Sequence, residues 1–194
     1  MINTILYFKS LRFFTKALKV FTWYLLFIFV IQIITIFLNR FKIPNLFLSH
    51  YYFIGQYFFI SSCFYLMSLK LITKKFILYT SSLVFISLCI FYIRNPERYF
   101  AFNMFEIFLT SIPLIIFSLL FFIEKMDSVN KVFIYISSGF FTYLLCSTLL
   151  FATGDIASID KITFWTINAF IYLGYQILIF VEWYKHFRKP EVIK

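Results

Sequence analysis

The chain has 194 residues, 62% of them hydrophobic and 13% charged, with a formal net charge of +10. That much apolar surface and so little charge exclude an ordinary water-soluble globule. The excess of Lys and Arg does not point to nucleic acid, because these residues are scattered over short segments and form no stripe.

In chain order, residues 1–12 come first. Ile2, Ile5, Leu6, Phe8 and Leu11 make an apolar face while Lys9 and Arg12 hold the interface, a pattern that predicts an interfacial helix. The apolar run 20–38 is long enough to stay in a bilayer and is followed by no small-residue cleavage pattern, so it reads as a retained anchor and not as a signal peptide. Runs 46–69, 76–93, 101–123, 132–152 and 162–181 follow. A hydrocarbon core of ~30 Å takes about 20 helical residues, which each run supplies. None has the period-2 alternation of a barrel strand. The fold expected is therefore all-α, one transmembrane domain over 1–194. It is an integral-membrane, up-and-down bundle of six transmembrane helices preceded by the interfacial helix. Short connections make sequential helices antiparallel neighbours, and there is no convincing internal repeat.

Charge gives the orientation. Lys9, Arg12, Lys16, Lys19, Lys70, Lys74, Lys75, Lys125, Lys131, Lys185, Arg188, Lys189 and Lys194 fall on one side, against Arg40, Lys42, Arg94, Arg98 and Lys161 on the other, thirteen to five. Cytoplasmic loops retain positive charge, so both termini are expected in the cytoplasm, with membrane lipid as a partner of the basic side. Trp183, Tyr184, Lys185, His186, Arg188 and Lys189 read as an aromatic and basic belt at that interface.

Cys63, Cys89 and Cys146 lie in three different runs, without disulfide or zinc spacing, and read as packing residues. Ser138, Thr142 and Cys146, at successive i+4 steps, mark a helix-packing face. The polar residues inside the runs carry more information, because an ionisable group in lipid is costly and faces a bundle interior or a cavity. His50 and Glu106 fall about 7 Å below the external ends of their runs and Asn168 about 9 Å. Gln32, Ser87, Cys146 and Ser147 lie in the same half.

Asn103, Glu106, Thr110 and Pro113 form one helical stripe, and Trp165, Asn168, Tyr172 and Tyr175 another. His50, Tyr57 and Ser61 share a face from which Gln56 points about a third of a turn away. Pro113 reads as a tolerated kink. Converging stripes would make an outward-opening polar pocket walled by aromatics. Its expected ligand-binding residues are Gln32, His50, Tyr57, Asn103, Glu106, Trp165, Asn168 and Tyr172. The alternative is that His50 and Glu106 bond each other, or neighbouring hydroxyls, and only fix helix packing.

Three segments together carry a resemblance: Tyr7, Phe8, Lys9, Ser10 and Leu11; then Asn45 to Tyr52 with Ser49 and His50; then Phe59, Ser62, Phe64 and Tyr65. Over about the first 70 residues the chain resembles a family of small bacterial polytopic membrane proteins of six to seven helices with no assigned activity. The resemblance implies a bacterial inner-membrane location, an acid six residues after the His, where this chain has Gln56, and one more helix before the Phe-Lys segment. Residues 1–12 would then be the remnant of a seventh span.

No Gly-x-Ser-x-Gly, His-Glu-x-x-His, Walker A or GxGxxG motif is present, and no Lys sits in the last run for a Schiff base. A lone His with a lone Glu could share acid-base work, but one His falls short of a metal shell. No catalytic residue, metal or cofactor is expected. Two functional readings remain. One is a sensor, carrier or substrate-capture subunit that binds a small molecule or lipid from outside. Its size and six spans parallel the substrate-binding membrane subunits of vitamin importers, although the small-residue coupling pattern of those subunits is missing from the first run. The other is a structural or assembly subunit of a larger membrane complex, with a membrane protein as its partner and no ligand of its own.

Overall fold

The computed structural model describes residues 1–126, 131–154 and 161–188. Among these the chain is all-helical, without strands. The helices are α1 Ile2–Lys9, α2 Lys16–Arg40, α3 Leu48–Met67, α4 Leu71–Arg94, α5 Met104–Met126, α6 Ile134–Gly154 and α7 Lys161–His186. Short 3₁₀ turns lie at Leu11–Phe13 and Pro96–Phe100. Each of the helices α2 to α7 grows from one apolar run. Five of them, α2, α4, α5, α6 and α7, are long and apolar enough to cross a membrane.

α3 matches them in length, 20 residues or about 30 Å, but it is more polar. It carries Ser49, His50, Gln56, Ser61, Ser62 and four tyrosines. Its position explains the difference. α3 packs against α2, α4 and α5, so most of its side chains meet protein, where His50, Tyr52 and Tyr57 find partners.

The long helices alternate in direction. At one end Cys63 approaches the Ala17 carbonyl, Glu124 meets Ser68 and Thr73, and Trp183 donates to Ser10. At the other end His50 meets Glu106, and Ser147 donates to Asn168. The first end gathers the larger basic set. Lys189 and Lys194 of that set lie outside the described residues, as does the side chain of Lys161 from the smaller one.

Neighbours in sequence are not the whole packing order. α2, α3, α5, α6 and α7 each pack on the next, and α1 wedges between α2 and α7 to close the ring, while α4 lies outside against α3 and α5. Stripe width decides this. α5 buries Ile107, Thr110, Ser111, Leu114, Phe117, Ser118 and Phe121, with small residues among large ones. α4 buries only Thr73, Ile77, Val84 and Leu88.

Aromatic rings fill the ring of helices. Phe133 packs edge-on against Phe21, Phe64 and Phe121 near the basic end. Further along, Tyr143 and Tyr175 stack with centroids 5.7 Å apart, and the Tyr52 and Tyr143 hydroxyls are 3.0 Å apart. The perimeter is apolar instead of polar: Ile36, Ile72, Tyr79, Ile93 and Phe170 are each at least 69% exposed. This inverts the arrangement of a water-soluble protein.

The same inversion holds for residues 1–12. A helix forms at α1, but its buried face is Asn3, Thr4 and Tyr7, while Ile2 and Ile5 point outward. The Asn3 amide donates to the Gln176 carbonyl (2.8 Å) and side chain (2.9 Å), and Tyr7 donates to the Ile179 carbonyl (3.1 Å). Burial raises the Tyr7 phenol well above its ordinary pKa, with Glu182 adding to the effect. Polar groups turn inward because only protein offers them partners. The apolar side chains need none.

Two carboxylates tie helix ends across the bundle. Glu182 on α7 is fully buried and accepts from the Phe133 (2.6 Å) and Tyr135 (2.9 Å) backbone N–H groups at the start of α6. Glu124 on α5 accepts from the Leu69 N–H (2.8 Å) and from the Ser68 and Thr73 hydroxyls at the start of α4. Each places acceptor oxygens where the orphan N–H groups of a helix start need them.

Candidate functional site

The first turns of α3 and α5 build the site. Asn103 precedes α5, and its side-chain oxygen accepts from the Glu106 backbone N–H at 3.4 Å, a weak form of the Asn-x-x-Glu helix start. The Glu106 carboxylate turns away from the cap toward α3, where His50 Nδ1 lies 2.8 Å from Oε2. Both residues are in the third helical position, two and three residues closer to the helix ends than the limits of the apolar runs imply. Both are also buried, at 3% and 1% exposure.

Tyr92, near the end of α4, joins them. Its hydroxyl donates to the same Glu106 oxygen and lies 2.8 Å from His50 Nδ1, while the Asn103 amide donates to it at 3.3 Å. Tyr99, in the 3₁₀ turn, stacks on the imidazole with centroids 5.5 Å apart. The Tyr99 hydroxyl lies 2.6 Å from that of Tyr51, a bond that holds the Tyr99 phenol above its ordinary pKa. His50 and Tyr92 thus converge on one Glu106 carboxylate oxygen. Glu106 Oε1 is buried without a hydrogen-bond partner. His50 Nε2 has no well-formed bond either, with the Tyr99 and Ala101 carbonyls near the ring.

Beside this cluster is an open cavity of about 640 Å³, walled by Phe27, Tyr51, Ile54, Tyr92, Tyr99 and Phe100, with His50 in its lining. Gly55 sets one wall, because the Phe27 ring occupies the space a Cβ would need. The volume suits a small molecule or part of a lipid. The walls are aromatic and aliphatic, and the residues in the lining that carry a polar side-chain atom are His50, Tyr51, Tyr92 and Tyr99.

The eight residues expected to line one pocket separate into groups. His50, Asn103 and Glu106 come together. Gln32 donates to the Tyr172 hydroxyl at 3.2 Å, on the α2 and α7 side. Asn168 accepts from Ser147 at 3.0 Å between α6 and α7. Tyr57 donates to Ser81 on α4 at 3.2 Å, and Trp165 is half exposed against Phe151 and Phe164. Gln56 is buried, with both amide atoms unpartnered. Depth alone placed these groups in one layer, but the ring of helices holds them at different points around it.

Tyr92 and Tyr99 belong to the site and were not anticipated. Tyr92 continues the buried α4 stripe four residues after Leu88, so spacing carried that signal. Tyr99 sits in a loop and carried none. Among the described residues no three His, Cys, Asp or Glu side chains come close enough to hold a metal ion. The chain matches no family model, no curated protein and no solved structure, so its function is argued from this geometry.

Proposed function

We propose that this is a bacterial inner-membrane protein of six spanning helices that binds a small amphipathic molecule or lipid in the cavity beside His50. α3 supports the sixth span by its length and by its place in the alternating series. The basic end would face the cytoplasm, with both chain ends, and the His50 end would face outward. The observation that carries the binding reading is the buried His50, Glu106 and Tyr92 cluster reaching the wall of an aromatic cavity of about 640 Å³. A ligand with an apolar body and one hydrogen-bonding group complements it, the body against Phe27 and Phe100 and the polar group toward His50. Such a protein would act as a sensor, a carrier or a substrate-capture subunit.

One observation favours the competing role of a structural subunit: His50, Glu106, Tyr92 and Asn103 already bond one another. The test is purification in mild detergent followed by mass spectrometry of co-purifying small molecules and proteins. The binding reading expects a specific small molecule that is lost in His50→Ala while folded yield holds. A stoichiometric protein partner with no small molecule, or a ligand retained in His50→Ala, would refute it.

A further inference from the structure

A second recess lies on the outer face, between α3 and α4, in the half of the bundle toward the basic end. It encloses about 550 Å³ between Ser61, Ser62 and Tyr65 on α3 and Ser81, Ser82 and Phe85 on α4. Small residues of this kind ordinarily let two membrane helices close on each other. Here they face a groove. Their hydroxyls are used within the protein: Ser62 donates to the Phe58 carbonyl (2.7 Å), Ser82 donates to that of Leu78 (3.1 Å), and Ser81 accepts from Tyr57 (3.2 Å). What the groove offers an occupant is therefore shape and apolar contact.

Charge identifies the occupant. The α4 face that lines the groove continues toward the start of that helix through Lys74, seven residues before Ser81, and Lys70 is the residue that immediately precedes the helix. The Lys74 ammonium lies 5.9 Å from the ring centroid of Tyr65, which is itself part of the wall. Glu124 is the acid nearest this mouth, and its carboxylate is occupied by the start of α4. Lys70, Lys74 and Lys75 together leave the mouth positive. From Lys74 to Ser82 the helix rises about 12 Å, room for the upper part of an acyl chain below a phosphate.

We infer that this groove seats one acyl chain of an anionic phospholipid from the leaflet at the basic end, its phosphate held by Lys70 and Lys74. The inference rests on the membrane-spanning reading but not on any ligand beside His50.

The test is native mass spectrometry of the detergent-purified chain with added phosphatidylglycerol, phosphatidylcholine or glycerol phosphate. The expected result is a one-to-one phosphatidylglycerol adduct, a much weaker phosphatidylcholine adduct, and none with glycerol phosphate. In Lys70→Gln/Lys74→Gln the preference for phosphatidylglycerol falls on the order of tenfold or more. In Ser81→Leu both lipid adducts fall, with Ser82→Leu as the second groove-filling variant should the first fail to fold. His50→Ala keeps the adduct, which separates this site from the outer cavity. Equal occupancy by the two lipids, an unchanged preference in the lysine variant, or glycerol phosphate binding as well as the lipid would each overturn the inference.

Discussion

The pairing of His50 with Glu106 makes a quantitative prediction through a double-mutant cycle. Glu106→Ala removes the acceptor of both His50 and Tyr92, two bonds at one oxygen. Side-chain hydrogen bonds between membrane helices average about 0.6 kcal/mol and reach about 1.7. The loss for Glu106→Ala is then about 1 to 3 kcal/mol. His50→Ala removes one of the two bonds and the ring that stacks on Tyr99, for a loss of about 1 to 2 kcal/mol on the same scale. Because the two changes delete one shared bond, the double variant should be less destabilised than the sum, by about 1 kcal/mol. Reversible unfolding in mixed micelles, with denaturing detergent as the variable, measures all four proteins. Additivity within about 0.3 kcal/mol would show that the two side chains do not interact, and the site as described would fall.

Gly55→Val should destabilise by about 1 to 3 kcal/mol in the same assay, since a Cβ there meets the Phe27 ring. Gly174→Ala, with nothing within 4 Å of a built Cβ, should instead be neutral or stabilising by about 0.5 to 1 kcal/mol. Equal losses at the two positions would contradict the packing of α2 on α3. Glu182→Ala should lower stability by about 1 to 3 kcal/mol by stripping two buried N–H groups of their acceptor, and Glu182→Gln should recover part of it; an unchanged unfolding midpoint in Glu182→Ala would dismiss the capping role. In a Cys89→Ser, Cys146→Ser background, Lys75→Cys and Arg188→Cys should react with an impermeant thiol reagent only after the cell is opened, whereas Arg40→Cys and Arg98→Cys should react in intact cells. The reverse pattern would invert the topology.

Helix positions were legible because a continuous apolar run has one backbone solution in lipid, and α2 to α7 each sit on such a run. His50 and Glu106 were legible for the same reason, since a charge in an apolar segment needs a partner. What the amphipathic pattern of α1 left open was the place of its polar residues. When lipid is outside, Asn3 and Tyr7 turn to Gln176 and Ile179. The two helix-capping acids, Glu124 and Glu182, could not be found by local spacing, because each closes a helix start on a different part of the chain. Tyr92 and Tyr99 were lost among 14 tyrosines, where abundance hides the few that matter. The expected single pocket needed the order of helices around the ring, and that depends on how wide a stripe each helix buries.

The outlying position of α4 has a mechanical meaning. This helix is pinned at two points about 30 Å apart along its axis, by Tyr92 on the Glu106 carboxylate at one extremity and by the Glu124 carboxylate on its first turn at the other. Between the pins it rests on α3 across an open groove. With the Tyr57 bond to Ser81 holding its middle, any swing large enough to widen the groove has to strain one of these ties. Whatever fills the groove would then press on the middle of the same bar whose end Tyr92 fixes beside His50.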